Sequence, residues 1–563
     1  MLVFIQNQQK LNLSEVDFLK RNKNKTLIAS ALTSTMGIFI SKMLGIIYVI
    51  PFTRLIGEAD LVFYSHAYTF YDYMLTLSIA GLPYAISMVV SRYYTKDDYK
   101  SVLLVRKVSL ALLMALGFSA FVFLLLFATP IAKQISPNAL DVLFVNNVKV
   151  VLTIISFALL VVPVLSCLRG FYQGQKEFVV PAVSEIIEQL ARVSFLLISS
   201  YLCVLVFNKG TITAVNYAVG AAVFAALCSL VYLYLVDIKR HKELVELANQ
   251  QPEIASDWKD ILKELIICCL PFLVASLIGE ANGVINATFF AKAMTARNET
   301  AEFISVIYSV LNFSAFKLTS IPQVLAIGFG VAIIPVMTSS IVKRDFTLLK
   351  KQVNDAFNTA TYIALPIVFC IMYFSTPVYA TFYGYDNYII GGEGLWWACL
   401  LAITGSIFPL ASSMAMAIRL RRKYLLSLFV GLLFKLCFTY PIILHIGYQG
   451  AMITSALSAL LVFIMNLFFI ARTYKITYWN YLLNTLKMLV GVVFMFGVAK
   501  LMELLKVEFL YKSQLQDLLT LIVYGLVVCS VYLIVTWFLK LPQTIFNFDI
   551  RKLFSRIKNR SNA

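Results

Sequence analysis

From residue 27 onward the chain alternates apolar runs with short polar connections, about fourteen times. A run of about 20 apolar residues, rising 1.5 Å each, crosses a hydrocarbon core of about 30 Å. Inside lipid every backbone polar group needs an internal partner, so runs of this length specify a bundle of spanning helices. The 563 residues are 60% hydrophobic and only 13% charged, too little polar surface for a soluble domain of that size. The expected fold class is an all-α polytopic membrane protein.

Spans fall near 27–51, 61–90, 106–129, 144–168, 179–207, 212–236 and 263–291, then 303–338, 353–380, 392–418, 424–446, 451–471, 481–502 and 515–539. The second and eighth exceed the bilayer's need. Each holds a proline (Pro83, Pro322) beside glycines (Gly81, Gly328, Gly330), which predicts bends. Lys and Arg gather in the N-terminal arm, in the loops 92–107, 169–177, 237–262, 339–352, 419–423 and 472–480, and beyond Lys540. That bias predicts both termini in the cytoplasm. The net charge of +18 is carried by these loops, so no nucleic-acid surface is expected, and Arg419, Arg421, Arg422 and Lys423 read as an orientation anchor. The first 25 residues are too polar for a cleaved signal peptide and read as a cytoplasmic arm.

The polar stretch 237–262 separates six spans from eight. The expected organisation is an arm (1–26), a first lobe of six spans (27–236), a cytoplasmic linker (237–262), a second lobe of six (263–471), two added spans (472–539) and a basic tail (540–563). A shift of 247 residues superposes Asp98 on Asp345, Lys176 on Lys423 and Glu188 on Lys435, in keeping with two parallel, pseudo-symmetric repeats.

Charges within the spans are the candidate functional residues, because such groups face a bundle interior or a watery cavity and find partners there. Lys42 lies well inside the first apolar run. It reads either as a cation lining a cavity for an anionic group or as a snorkelling or structurally paired lysine. Asp72, in the second span, lies at a similar depth and is its candidate partner. Glu185, Glu188 and Arg192 fall in the fifth span, and the i, i+4 order of Glu188 and Arg192 favours an ion pair. Glu280 of the seventh span could change protonation or ion occupancy during a transport cycle, or could be neutralised by Lys435 of the eleventh. Lys317 of the eighth supplies a second mid-depth cation.

Catalysis and metal binding have little support. Nine cysteines sit in apolar runs without a Cys-x-x-Cys pair, and three histidines (His66, His241, His445) share no ligand spacing. The acids Glu58, Asp60, Asp386 and Glu393 form no Asp-x-Asp motif, and no Walker-type phosphate loop occurs. No catalytic residue, metal or bound cofactor is expected, and coupling would be to the membrane potential, H+ or Na+.

Two stretches carry a family resemblance. Ile40-Ser-Lys-Met-Leu-Gly-Ile-Ile-Tyr-Val-Ile-Pro-Phe52 resembles the first-span signature of the SpoVB/YtgP branch of bacterial polysaccharide flippases, which is related to the MurJ flippases. Leu168-Arg-Gly-Phe-Tyr-Gln-Gly-Gln-Lys176, followed by Pro181 and Ser184-Glu-Ile-Ile-Glu-Gln-Leu-Ala-Arg192, is a second match. The resemblance implies a MATE-like fold of the MOP superfamily that moves undecaprenyl-diphosphate-linked saccharides, such as lipid II, between leaflets by alternating access. It places Lys42 and Lys317 where MurJ relatives carry essential arginines, while Tyr48 and Leu75 stand where they often carry further cavity arginines. It also implies that the last two spans form a groove for the lipid tail. Lysine keeps the charge and loses the two-pronged fork for phosphate oxygens.

The expected partners are a polyprenyl-diphosphate-linked saccharide, membrane lipids and proteins of cell-wall synthesis. The competing readings are a cation-coupled drug or metabolite exporter of the same fold, and a non-transporting scaffold of wall synthesis.

Overall fold

In a computed structural model the described residues are 44–45, 47–138, 141–251, 257–324, 337, 340–341, 343–418, 420–505, 509, 511 and 513–546. Every regular element among them is a helix, as backbone confined to lipid requires. Thirteen helical stretches are long and apolar enough to cross a membrane, and they follow the second to fourteenth expected spans in order. The first expected span lies mainly outside the described residues, and its end continues as the helix Val49–Ile56.

The second span (Glu58–Tyr94) breaks at Gly81, whose φ of +75° suits glycine. Pro83 then opens the helix Leu82–Tyr94, where its missing N–H removes no helical bond. A Cβ at Gly81 would stand 2.7 Å from the Cβ of Phe272, so the seventh span (Trp258–Ala296) crosses the break closely. In the eighth span (Ala301–Val324) the irregularity precedes the proline. Residues Val310–Ser314 form a π-turn, which shifts the helix register just before Lys317. The glycines Gly328 and Gly330 lie outside the described residues.

The predicted linker 237–262 is largely helical. The sixth helix runs from Thr211 to Asn249 and the next begins at Trp258. Leu244 joins a buried cluster with Val90, Val102 and Ile261, which gives the extension a packing surface beyond the apolar run.

Two packed units result. Among the described residues, the first takes those up to Tyr48 and those within Ala67–Ala132 and Asn146–Glu280, and the second takes those within Val49–His66 and Lys133–Val145 and those from Ala281. Within the first, the fourth span (Val142–Gly174) lies tightly on Leu82–Tyr94. A Cβ on Gly170 would come 2.6 Å from the carbonyl oxygen of Pro83, and one on Gly174 would come 2.6 Å from the Cβ of Val90. Two glycines one turn apart permit that approach. Within the second, Phe408 stacks on Phe463 at 4.3 Å, and Phe463 meets Phe357 edge-on. Spans thirteen and fourteen join span nine through Tyr362, Met488, Met495, Tyr524 and Tyr532. Their other faces present Leu486, Val493, Leu526 and Leu533 outward, as a lipid-facing surface would.

Candidate functional site: intramembrane charges and a clasped corner

Lys42 lies outside the described residues, and with it the expected Lys42–Asp72 pair. Asp72 itself is exposed on the second span. Lys317 is half-buried one residue pair beyond the π-turn, and the Ser320 hydroxyl donates to its carbonyl at 2.6 Å. The lysine therefore follows the irregular turn directly, and regular helix continues past it through Pro322 to Val324.

The first unit assembles a network around Glu188. Each carboxylate oxygen takes one guanidinium: Arg192 Nη2 at 2.5 Å on Oε1 and Arg169 Nη2 at 2.8 Å on Oε2. Arg169 also donates to the hydroxyls of Ser184 and Ser229, each at 3.0 Å. Those two hydroxyls lie 2.7 Å apart, and the Ser229 hydroxyl donates to the Ser184 carbonyl at 2.9 Å. The residues come from the fourth, fifth and sixth spans, so three helices are tied by one carboxylate and two serines. Arg169 escaped the sequence reading of intramembrane charges because the fourth apolar run ends at Leu168. The structure extends that helix to Gly174 and turns the arginine inward. Glu185 is half-buried on the same helix as Glu188.

A second cluster lies at the sixth helix's polar end. Arg106 holds both oxygens of Asp237, at 2.9 and 2.5 Å, and Tyr172 donates to the same carboxylate at 2.7 Å. Phe171 lies under the Arg106 guanidinium at 5.2 Å. The stretch from Leu168 to Gly174 is thus an assembly device, with Arg169 on Glu188, Gly170 and Gly174 on the second span, and Tyr172 on Asp237.

Lys435, in the second unit, is 1% exposed and donates Nζ to the Ser455 hydroxyl at 2.8 Å. Asn286 reaches the same hydroxyl at 3.4 Å. Among the described residues Lys435 forms no ion pair, and its hydrogen-bond partner is a neutral serine. Glu280 is exposed on the seventh helix.

The second unit also clasps the corner Val49–His66. Arg54 donates to the carbonyls of Phe382 and Thr381, each at 2.7 Å. Glu58 is 6% exposed and accepts from the Tyr379 hydroxyl and, at 3.4 Å, from Asn387. Phe52 and Tyr64 both pack edge-on against Phe313, at 6.2 and 5.2 Å. Glu58 thus belongs to a buried hydrogen-bonded contact and not to an open loop.

Known proteins agree with this architecture. Residues 27–341 match the family model described as polysaccharide biosynthesis protein. The lipid II flippase MurJ of Bacillus subtilis (strain 168) is 31% identical over 469 residues, which cover 82% of this chain and 86% of that protein. A structure of lipid II flippase MurJ in an inward closed conformation superposes with a TM-score of 0.63 at 14% identity, covering 90% of this chain and 99% of that one. An inward-facing multidrug resistance MATE family transporter of the MOP superfamily superposes with a TM-score of 0.61 at 15% identity, covering 77% and 94%. The chain belongs to the polysaccharide biosynthesis protein family, as a multi-pass membrane relative of MurJ with the fold of the MOP superfamily.

Proposed function

We propose that this protein is a flippase for an undecaprenyl-diphosphate-linked saccharide, a lipid II-like cell-wall precursor, and that it works by alternating access in a bacterial plasma membrane with both termini cytoplasmic. The observation that carries the reading is the 31% identity with a lipid II flippase across 82% of the chain. Physical chemistry supports it. A diphosphate head cannot enter hydrocarbon unaided, so its carrier must offer cations at mid-depth. Lys317, half-buried beside a π-turn, is one such group, and Lys42 is the other that the sequence offers. The apolar outer faces of spans thirteen and fourteen suit a polyprenyl tail that stays in lipid.

The test is exposure of lipid-linked precursor to an outer-leaflet probe, in cells lacking every other flippase and depleted of this one. Complementation with the wild-type chain restores exposure, and the Lys42→Ala/Lys317→Ala chain does not. Restoration by the double variant would remove the lysines from the anion site. Unchanged exposure on depletion would remove the flippase reading and leave the exporter, which shows a drug-sensitivity phenotype instead.

A further inference from the structure

His66 is the last residue of the clasped corner and is 3% exposed. Its ring stacks on Tyr308 at 4.2 Å with the planes 23° apart, and Phe144 closes it edge-on at 6.5 Å. Among the described residues its buried Nδ1 has no hydrogen-bond partner. Beside it lies a cavity of about 10 Å³, lined by Val62, Ile135, Phe144, Phe290, Ser305 and Tyr308 among others. That volume is at the threshold for a single water.

Every described element around the ring presents apolar or neutral groups to it. Tyr308 is the other titratable residue lining the cavity. On its own helix, Glu58 is engaged by Tyr379 and Asn387, and Asp60, like Glu58, lies outside the lining. On the packed elements, Lys133, Asp141, Lys292 and Glu302 are exposed and do not line the cavity. Among the described lining residues an imidazolium would meet no carboxylate, and its two N–H groups would need acceptors. The Tyr308 face offers a cation–π contact, which is worth less than burying an unpaired ion costs. The packed corner therefore accepts the neutral ring and excludes the charged one.

We infer that His66 is a proton-binding site, at which proton uptake from the outer aqueous phase releases the Val49–His66 corner and opens the protein on that side. The inference rests on the alternating-access reading, and on the loop charges that place this corner outside. Glu58, Arg54 and the aromatic contacts hold the corner in place. His66 makes that hold conditional on proton occupancy, so the proton is the coupling ion at this end of the molecule.

The test uses the full chain in intact cells, with Ser305→Cys as reporter and an impermeant thiol reagent. Labelling is corrected for the chain without the added cysteine and normalised to a small thiol at the same pH. With an ordinary imidazole in the open form, linkage predicts about a tenfold rise in labelling rate between pH 7.5 and pH 5.5. His66→Gln and His66→Phe, the second of which keeps the stack on Tyr308, should abolish that rise in reporter chains that are folded and present at the wild-type level. An equal rise in both variants, or none in the wild type, overturns the proton site. Precursor exposure at pH 7.5 is measured in parallel. Its loss in the wild type would sink the flippase reading, whereas intact exposure with pH-independent labelling sinks His66 alone.

Discussion

Asp98 and Asp345, 247 residues apart, begin two spans in the same way. Each carboxylate accepts the backbone N–H three residues on, from Ser101 at 3.0 Å and from Leu348 at 2.9 Å. Each also follows a residue in the left-handed region, Asp97 and Arg344, both at φ +57°. The third and ninth helices thus start from equivalent corners, as expected of parallel repeats.

The Asp345 corner carries a pH signature. Hydrogen bonds from the Thr347 hydroxyl and the Leu348 N–H hold its carboxyl below the usual aspartate range. The ionised form is therefore favoured by folding. Its contribution is complete above the unfolded value near 3.9 and is lost as pH falls through the depressed one. Thermal unfolding in detergent should lose stability across that acid window, and Asp345→Asn, which still caps the helix, should flatten the slope. An unchanged slope would show that other carboxylates govern it.

Removing Glu188 should be more damaging than removing either arginine. Glu188→Ala leaves Arg169 and Arg192 without the carboxylate that both share, and breaking a partly buried network in this way costs about 1–3 kcal/mol. Arg169→Met leaves Glu188 with Arg192 and should cost less. Equal losses in the two variants, read from melting temperatures, would mean that the carboxylate is not the hub.

Gly170→Val should prevent assembly of the first unit. Its Cβ would press on the Pro83 backbone, which cannot swing aside as a flexible side chain could. Overpacking of this kind costs about 1–3 kcal/mol, with the upper end expected against backbone. A monodisperse variant with wild-type melting would show that the two helices can separate freely.

Lys435→Met should remain folded, because the methionine fills the volume and only one hydrogen bond, to Ser455, is lost. Lys435→Ala should be destabilised by about 2–5 kcal/mol through the cavity left behind. If Met were as damaging as Ala, the ammonium itself would be required.

The spans were legible because apolar length is a local property. The break at Gly81 was legible for the same reason, since glycine and proline announce it within a few residues. The Glu188–Arg192 pair could be read from its helical spacing, but the second guanidinium could not. Arg169 looked like the first residue of a polar loop, and only packing carries its helix on to Gly174. Ser184 and Ser229, 45 residues apart on neighbouring helices, leave no periodic trace at all. Lys435 shows the opposite case: its depth was legible, while its partner, a neutral serine, depended on how three helices meet. Glu58, which falls between the first two expected spans, is buried by contacts more than 300 residues away in the chain.

The boundary between the two packed units falls between Glu280 and Ala281, within the uninterrupted helix Trp258–Ala296. One hydrogen-bonded rod is therefore anchored at each end in a different body. A helix flexes most where it is least stiff, and here Pro271 lies before the boundary while Gly279 and Gly283 flank it. The seventh helix thus keeps its hydrogen-bonded ladder across the boundary and carries its softest turn there.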